Sequence, residues 1–281
     1  MKISNTIESL RTVIKQWHQD GLQVGFVPTM GHLHAGHMEL VNQAKLSCDK
    51  VVVSIFVNPL QFNEISDYES YPQSLAEDQK QLINVKTDLL FLPDNEMMYA
   101  ANQQLTTKVC VPGISQVLEG ECRPGHFDGV STIVNKLLNL VQPQQAFFGE
   151  KDYQQLLLIR KMVNDLNIPV DIKSVTTHRE VDGLAMSSRN SRLSKLQRGI
   201  APQLYGVLKK LAERISNNEL SIVKAEAEAV SDLKRAGFVP EYVSVRNGST
   251  LHTADEKSAN RRVLAAVRLG EVRLIDNISI D

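Results

Sequence analysis

Cysteine is scarce, with Cys48, Cys110 and Cys122 the only three in 281 residues. An odd number at these spacings matches neither a disulfide framework nor a zinc site, so a reducing, cytoplasmic setting is expected. Excess charge is also lacking: Lys plus Arg total 31 against 32 Asp plus Glu, a formal net charge of −1. No global field draws the chain to nucleic acid or an anionic membrane, and any basic site must be local. Long apolar runs are missing too. The longest, Val51-Val-Val-Ser-Ile-Phe-Val57, falls far short of the ~20 residues that cross a bilayer as a helix. The first residues hold no signal-peptide core; Ile3, Ile7, Leu10, Ile14 and Trp17 fall at helical spacing and predict an amphipathic helix instead. Neither a solenoid repeat nor a low-complexity tract interrupts the pattern. What remains is a soluble chain, 42% hydrophobic and long enough for two ordinary domains.

From Gln23 to about Val175, short apolar runs alternate with longer segments of helical period, the signature of parallel strands joined by crossover helices. Strands are predicted at Gln23–Pro28, Lys50–Val57, Asp88–Leu92, Gln145–Phe148 and Val170–Val175, and helices at Gly36–Ser47, Ser74–Val85, Gly129–Leu140 and Tyr153–Leu166. The fold class is therefore α/β, with a doubly wound parallel N-terminal domain over residues 1–182 whose ligands sit at the carboxyl ends of the strands. After Asp182-Gly183 the pattern changes. Helical stretches at Ser194–Ser216 and Ser221–Ala236 precede strands at Tyr242–Arg246, Arg262–Leu269 and Val272–Asp276, a smaller α+β domain over 183–281. Its last two strands meet at Gly270-Glu271, which suits a type II′ hairpin turn.

The first strand enters its helix through Pro28-Thr-Met-Gly-His-Leu-His-Ala-Gly-His37, which packs His32, His34 and His37 into six residues. A helix N-terminus offers unpaired N–H groups and the positive end of a dipole, both suited to phosphate. Gly31 and Gly36 allow close approach of backbone to ligand. His34 and His37, three apart on the first turn, can address one phosphate as charge builds in a transition state. One histidine here would read as a cap or a solvated side chain; three together read as a site. Zinc is disfavoured, because no Asp, Glu or Cys in the loop completes a ligand set.

Further loops carry related chemistry. In Phe147-Phe-Gly-Glu-Lys-Asp-Tyr-Gln-Gln155, Lys151 suits a phosphate and Asp152 a ribose hydroxyl or a water on Mg²⁺, although an acidic helix start is the plainer alternative. In Asp182-Gly-Leu-Ala-Met-Ser-Ser-Arg-Asn190, two hydroxyls beside Arg189 form either a polyphosphate clamp or a polar linker. Asn58-Pro-Leu-Gln-Phe62 sets the Asn58 and Gln61 amides beside the first loop, ready for a substrate hydroxyl or carboxylate. Arg123-Pro-Gly-His-Phe127 places Arg123 and His126 either at a second anionic substrate or in a turn. Together they describe an enzyme that activates a small acid with ATP.

These motifs resemble the pantothenate synthetase family, the pantoate–β-alanine ligases of the nucleotidylyltransferase-like superfamily. The matching segments are Val27-Pro-Thr-Met-Gly with His34-Ala-Gly-His37, Phe56-Val-Asn-Pro-Leu-Gln-Phe62, Arg123-Pro-Gly-His-Phe-Asp-Gly129, Phe148-Gly-Glu-Lys-Asp-Tyr-Gln-Gln155 and Asp182 to Asn190. The resemblance implies a Rossmann-like N-terminal domain, a C-terminal lid, ATP with Mg²⁺, pantoate and β-alanine as small-molecule partners, and a homodimer. It implies two steps, in which pantoate attacks the α-phosphorus of ATP and β-alanine then displaces AMP. By position, Met30, Gly31, His32, Leu33, His34, Ala35, Gly36 and His37 form the first ATP stretch. Gly149, Glu150, Lys151 and Asp152 form the second, and Met186, Ser187, Ser188 and Arg189 the third, with the main chain at His178 near adenine. His34, His37, Lys151 and Arg189 make up the catalytic set, His37 as proton donor, and His32 lies outside it. Gln61 and Gln155 match the amides that hold pantoate, and Asn58, Arg123 and His126 match further pocket positions. Two departures stand out: Tyr71-Pro72-Gln73 where the family commonly has Tyr-Pro-Arg, and His178 where it has an apolar residue.

Two competing classes fit less well. A nucleotidyltransferase acting on a phosphate ester would call for extra Lys or Arg beside the first loop, where the chain offers amides. A binding-only relative would have lost His34, His37, Lys151 or Arg189, and all four are present.

Overall fold

A computed structural model describes residues 1–99 and 106–280. Its larger sheet holds β1 (Lys2–Ser4), β2 (Val24–Thr29), β3 (Lys50–Ile55), β4 (Leu89–Phe91), β5 (Gln145–Gly149) and β6 (Asp171–Val175). Their order is β1-β4-β3-β2-β5-β6 and every pairing is parallel. From β2 the chain winds outward through β3 to β4, then returns to β5 on the other side of β2. The switch point, where an open α/β sheet binds its ligands, therefore lies between β2 and β5.

Both faces of the sheet are buried, which explains the near-continuous apolar strands. Val24, Phe26, Val52, Leu89, Phe91 and Phe148 pack on one side with Leu10, Ile14 and Trp17 of helix α1 (Ile7–Gln19). Val27, Val51, Val53, Leu90 and Phe147 pack on the other, with residues of α2 (Ala35–Ser47). Short helix α3 (Ile65–Glu69) and then α4 (Leu75–Asn84) follow β3. Helices α5 (Asn95–Tyr99) and α6 (Glu119–Cys122) lead to α7 (His126–Val141), and α8 (Tyr153–Asp165) links β5 to β6.

The smaller unit has α9 (Lys195–Ile200), α10 (Gln203–Ser216) and α11 (Ile222–Arg235) over an antiparallel sheet of β7 (Val239–Asn247), β8 (Arg261–Leu269) and β9 (Val272–Ile280). Leu204, Leu208 and Leu211 pack there with Leu233, Val263 and Leu274. Gly270 has φ +58°, the positive value that the first position of a primed hairpin turn needs.

The departures from expectation are local. Ile3 belongs to edge strand β1, not to the first helix, which begins at Ile7; three residues are too few to show a period of two. The single helix expected over Ser194–Ser216 is α9 and α10, broken around Pro202, whose ring cannot continue an unbroken ladder. α7 starts at His126 rather than Gly129, after Gly125 at φ +82°. Among the described residues, no helix is long and apolar enough to cross a membrane.

The two units are joined by buried polar contacts. Glu119 accepts two hydrogen bonds from Arg273 of β9, at 2.7 and 2.9 Å, and one from Tyr242 Oη of β7 at 2.6 Å. Burial alone would push the Glu119 carboxyl up, but the Arg273 guanidinium outweighs it and holds the group below its ordinary value. A lowered folded-state pKa means that this stabilisation is full above pH 4.5, the ordinary glutamate value, and is lost as pH falls through the folded value. Glu119→Gln is expected to destabilise at pH 7 by somewhat less than the ~3–5 kcal/mol of an isolated buried pair, because Glu241 still neutralises Arg273. Thermal unfolding should show that difference at pH 7, shrinking as pH falls below 4.5.

Candidate active site

The loop from β2 to α2 is held by a group that no local pattern announces. Asp78 of α4, 1% exposed, accepts the main-chain N–H of His32 at 2.9 Å and of Leu33 at 2.8 Å, and Ser74 Oγ–H at 3.0 Å. This fixes Gly31 at φ +81° and His32 at φ +48°. The His32 ring meets Ser74 Oγ at 3.0 Å, and Leu33 is core. Of the first stretch, Met30, His34, Gly36 and His37 therefore line the cavity at the switch point, and Gly31, His32, Leu33 and Ala35 shape it. The first N–H groups of α2, at Ala35 and Gly36, have no intrahelical acceptor, as at any helix start.

His34 caps α2, and its ring lies 4.0 Å, centroid to centroid, from that of His37. Burial lowers the His37 pKa to about 4 and the His34 pKa to about 2, aided by Lys151 and, for His34, by His37. Both rings are neutral at pH 7. His37 Nδ1 accepts the His34 main-chain N–H at 3.3 Å, which puts its proton on Nε2. His34 Nδ1 is buried without a partner among the described residues, a group that a ligand would satisfy.

Gly149, Lys151, Asp152 and Gln155 line the same cavity of about 220 Å³, as do Asn58, Gln61, His178, Met186, Ser187, Ser188 and Arg189. Glu150 does not; it turns toward Arg262, 4.0 Å away. The Lys151 loop is braced from the smaller unit by Asn277 Nδ2, which donates to the carbonyls of Glu150 at 2.9 Å and Lys151 at 3.0 Å. The His178 carbonyl accepts the Met186 N–H at 3.0 Å, and Ser188 Oγ donates to the His32 carbonyl at 3.0 Å, tying the third stretch to the first. Arg189 pairs with Asp67 at 3.0 Å, its guanidinium 5.7 Å over the Tyr71 ring.

Arg123 and His126 do not reach this cavity. They line a larger one of about 430 Å³, which shares Lys151, Asp152, Gln155, Ser187 and Arg189 with it. His126 Nδ1–H donates to the Gln61 carbonyl at 2.7 Å, and Arg123 Nη2 donates to the same oxygen at 3.2 Å. Burial, then the Arg123 charge, lowers the His126 pKa to about 3. Both side chains thus clamp the main chain that carries Gln61.

The pantoate-beta-alanine ligase family model matches residues 2–279, essentially the whole chain. The chain belongs to the pantoate–β-alanine ligase family. Pantothenate synthetase of Hahella chejuensis is 49% identical over 274 residues, 98% of this chain and 97% of that one. That of Shewanella sp. is 48% identical over the full length of both. A crystal structure of pantothenate synthetase from Thermus thermophilus superposes with a TM-score of 0.93 at 43% identity, covering 100% of this chain and 99% of that one. The Francisella tularensis pantoate-beta-alanine ligase, crystallised with β,γ ATP and β-alanine, gives a TM-score of 0.85 at 34% identity over 99% and 97%. As a pantoate–β-alanine ligase, the protein joins pantoate to β-alanine at the expense of ATP.

Proposed function

We propose that the reaction runs in two steps at the β2–β5 switch point. The pantoate carboxylate attacks the α-phosphorus of ATP, forming pantoyl adenylate and releasing pyrophosphate. The β-alanine amine then attacks the acyl carbon, forming the amide and releasing AMP. The observation that carries this reading is the meeting, around one cavity, of two neutral histidines, Lys151 and the Gln61 and Gln155 amides. A carboxylate is already a nucleophile at neutral pH, so the first step needs orientation and charge stabilisation rather than a base.

In this scheme His34 and His37 donate to the nucleotide phosphates beside the α2 N-terminus, and Lys151 neutralises phosphate charge. With a pKa of about 4 in the free protein, His37 is a hydrogen-bond donor rather than a general acid. Gln61 and Gln155 hold the pantoate oxygens, while Val130, Ile133 and Val134 on α7 offer an apolar wall to its two methyl groups. Arg189 reaches the phosphates by exchanging Asp67 for them, an exchange that a crystal of the ATP complex would show as loss of the 3.0 Å pair. The smaller unit serves as the lid.

Among the described residues no group of three His, Cys, Asp or Glu side chains is placed to hold a metal. That fits Mg²⁺, which binds through substrate phosphates and one or two carboxylates; Asp152, beside Lys151, is the carboxylate available. Mg²⁺ would there neutralise phosphate charge. A homodimer in the cytoplasm, with no nucleic-acid or membrane partner, is the matching expectation for the assembled protein.

Purified protein given pantoate, β-alanine, ATP and Mg²⁺ should yield pantothenate and AMP in equal amounts. Release of ADP, or product formation without pantoate, would reject the scheme.

A further inference from the structure

We propose that Tyr99 is a positioning residue for the substrate acid: its hydroxyl braces the Asn58 amide, which holds Gln61 with its Nε2 end toward the cavity. The proposal rests on the reading of Gln61 as a pantoate contact. Asn58, 1% exposed, has all its hydrogen-bonding directions occupied by protein. Its Oδ1 accepts the Leu60 N–H at 3.3 Å and the Tyr99 O–H at 2.5 Å, and its Nδ2 donates to the Gly129 carbonyl and to Gln61 Oε1, each at 3.1 Å. Two of these partners are main-chain groups of fixed role, since an N–H only donates and a carbonyl only accepts. Turning the Asn58 amide over would break both, so Tyr99 must donate and Gln61 must accept through Oε1.

Gln61 Nε2 is then the end left for the substrate. Among the described residues its only hydrogen-bond partner is Met30 Sδ at 2.8 Å, a weak acceptor that a carboxylate or hydroxyl oxygen readily replaces. The pocket thus presents an N–H donor at this point and selects an acceptor. With the amide reversed, Oε1 would face a substrate oxygen and repel it. Tyr99 is itself fixed: it is 3% exposed, its ring lies 6.0 Å from that of Phe56, and Lys136 Nζ sits 5.1 Å over it. Phe at this position keeps the packing and removes only the donor.

The test is steady-state kinetics on three variants, with each substrate varied in turn. Tyr99→Phe is expected to raise the KM for pantoate about fivefold, the loss of roughly one neutral hydrogen bond, and to leave the KM for ATP within about twofold. Asn58→Asp, whose carboxylate accepts where the amide donated, should raise the pantoate KM more. A Tyr99→Phe enzyme with wild-type pantoate KM, or with the pantoate and ATP KM values rising together, would overturn the proposal. Gln61→Ala separates the two layers. If it leaves the pantoate KM unchanged, the Gln61 reading itself fails; if it raises that KM while Tyr99→Phe does not, only the Tyr99 relay fails.

Discussion

His37→Ala should slow adenylate formation in a single turnover by about 10²–10³-fold, the usual cost of removing one donor aimed at developing charge. ATP binding should weaken much less. The reason is the state of the ring: half-buried, neutral and with its proton fixed on Nε2 by the His34 main-chain N–H, His37 is a preorganised dipole. A dipole of this kind gains most when negative charge grows on phosphate in the transition state, and little in the ground state. The same ring state has a pH signature. An exposed histidine would impose an acid limb near its ordinary value of 6.5, whereas a folded-state value of about 4 leaves kcat/KM for ATP flat down to about pH 5. A single-turnover rate unchanged in His37→Ala, or an acid limb at 6.5 that the variant abolishes, would show that His37 acts otherwise.

Gly129→Ala is expected to be nearly as damaging, although Gly129 lines neither cavity. A Cβ there would lie 2.2 Å from the Leu60 carbonyl oxygen, 2.4 Å from its carbon and 2.7 Å from the Gln61 nitrogen. All three are main-chain atoms and none can swing aside. Either α7 or the Pro59–Gln61 turn must move, and that turn carries Gln61, whose Asn58 partner also bonds the Gly129 carbonyl. We expect a loss of about 2–4 kcal/mol of stability, at the upper end of overpacking costs. A displacement of about 1 Å at a substrate-positioning group should also lower kcat/KM for pantoate by about 100-fold. Gly206→Ala in α10 is the control: among the described residues nothing lies within 4 Å of its Cβ, and a helical Gly→Ala change there should stabilise by about 0.5–1 kcal/mol. Equal thermal shifts in the two variants would refute the steric account.

Much of this architecture is legible in the chain. Strands β2 to β5 announce themselves because both their faces are buried, whereas edge strand β6 buries only Ile172; the histidine and Lys151 loops are legible because they lie at strand ends, and the Ser-Ser-Arg segment because it lies where the sequence pattern changes. What escapes is the set of polar contacts made across long sequence separations. Asp78 reads as an ordinary acidic residue of an amphipathic helix, yet it holds main-chain groups of His32 and Leu33. Tyr99 and Glu119 lie in a stretch without period, and their partners Asn58 and Arg273 are 41 and 154 residues away. No spacing rule reaches so far. Asn58, Arg123 and His126 read in the sequence as candidate substrate contacts. The structure places all three on Gln61, through its side chain or its carbonyl.

The central claim, an acyl adenylate formed before β-alanine acts, is tested most directly by isotope exchange. With ATP, Mg²⁺ and pantoate but no β-alanine, labelled pyrophosphate should enter ATP, and omission of pantoate should stop it. Exchange that requires β-alanine, or that proceeds without pantoate, would contradict the two-step account.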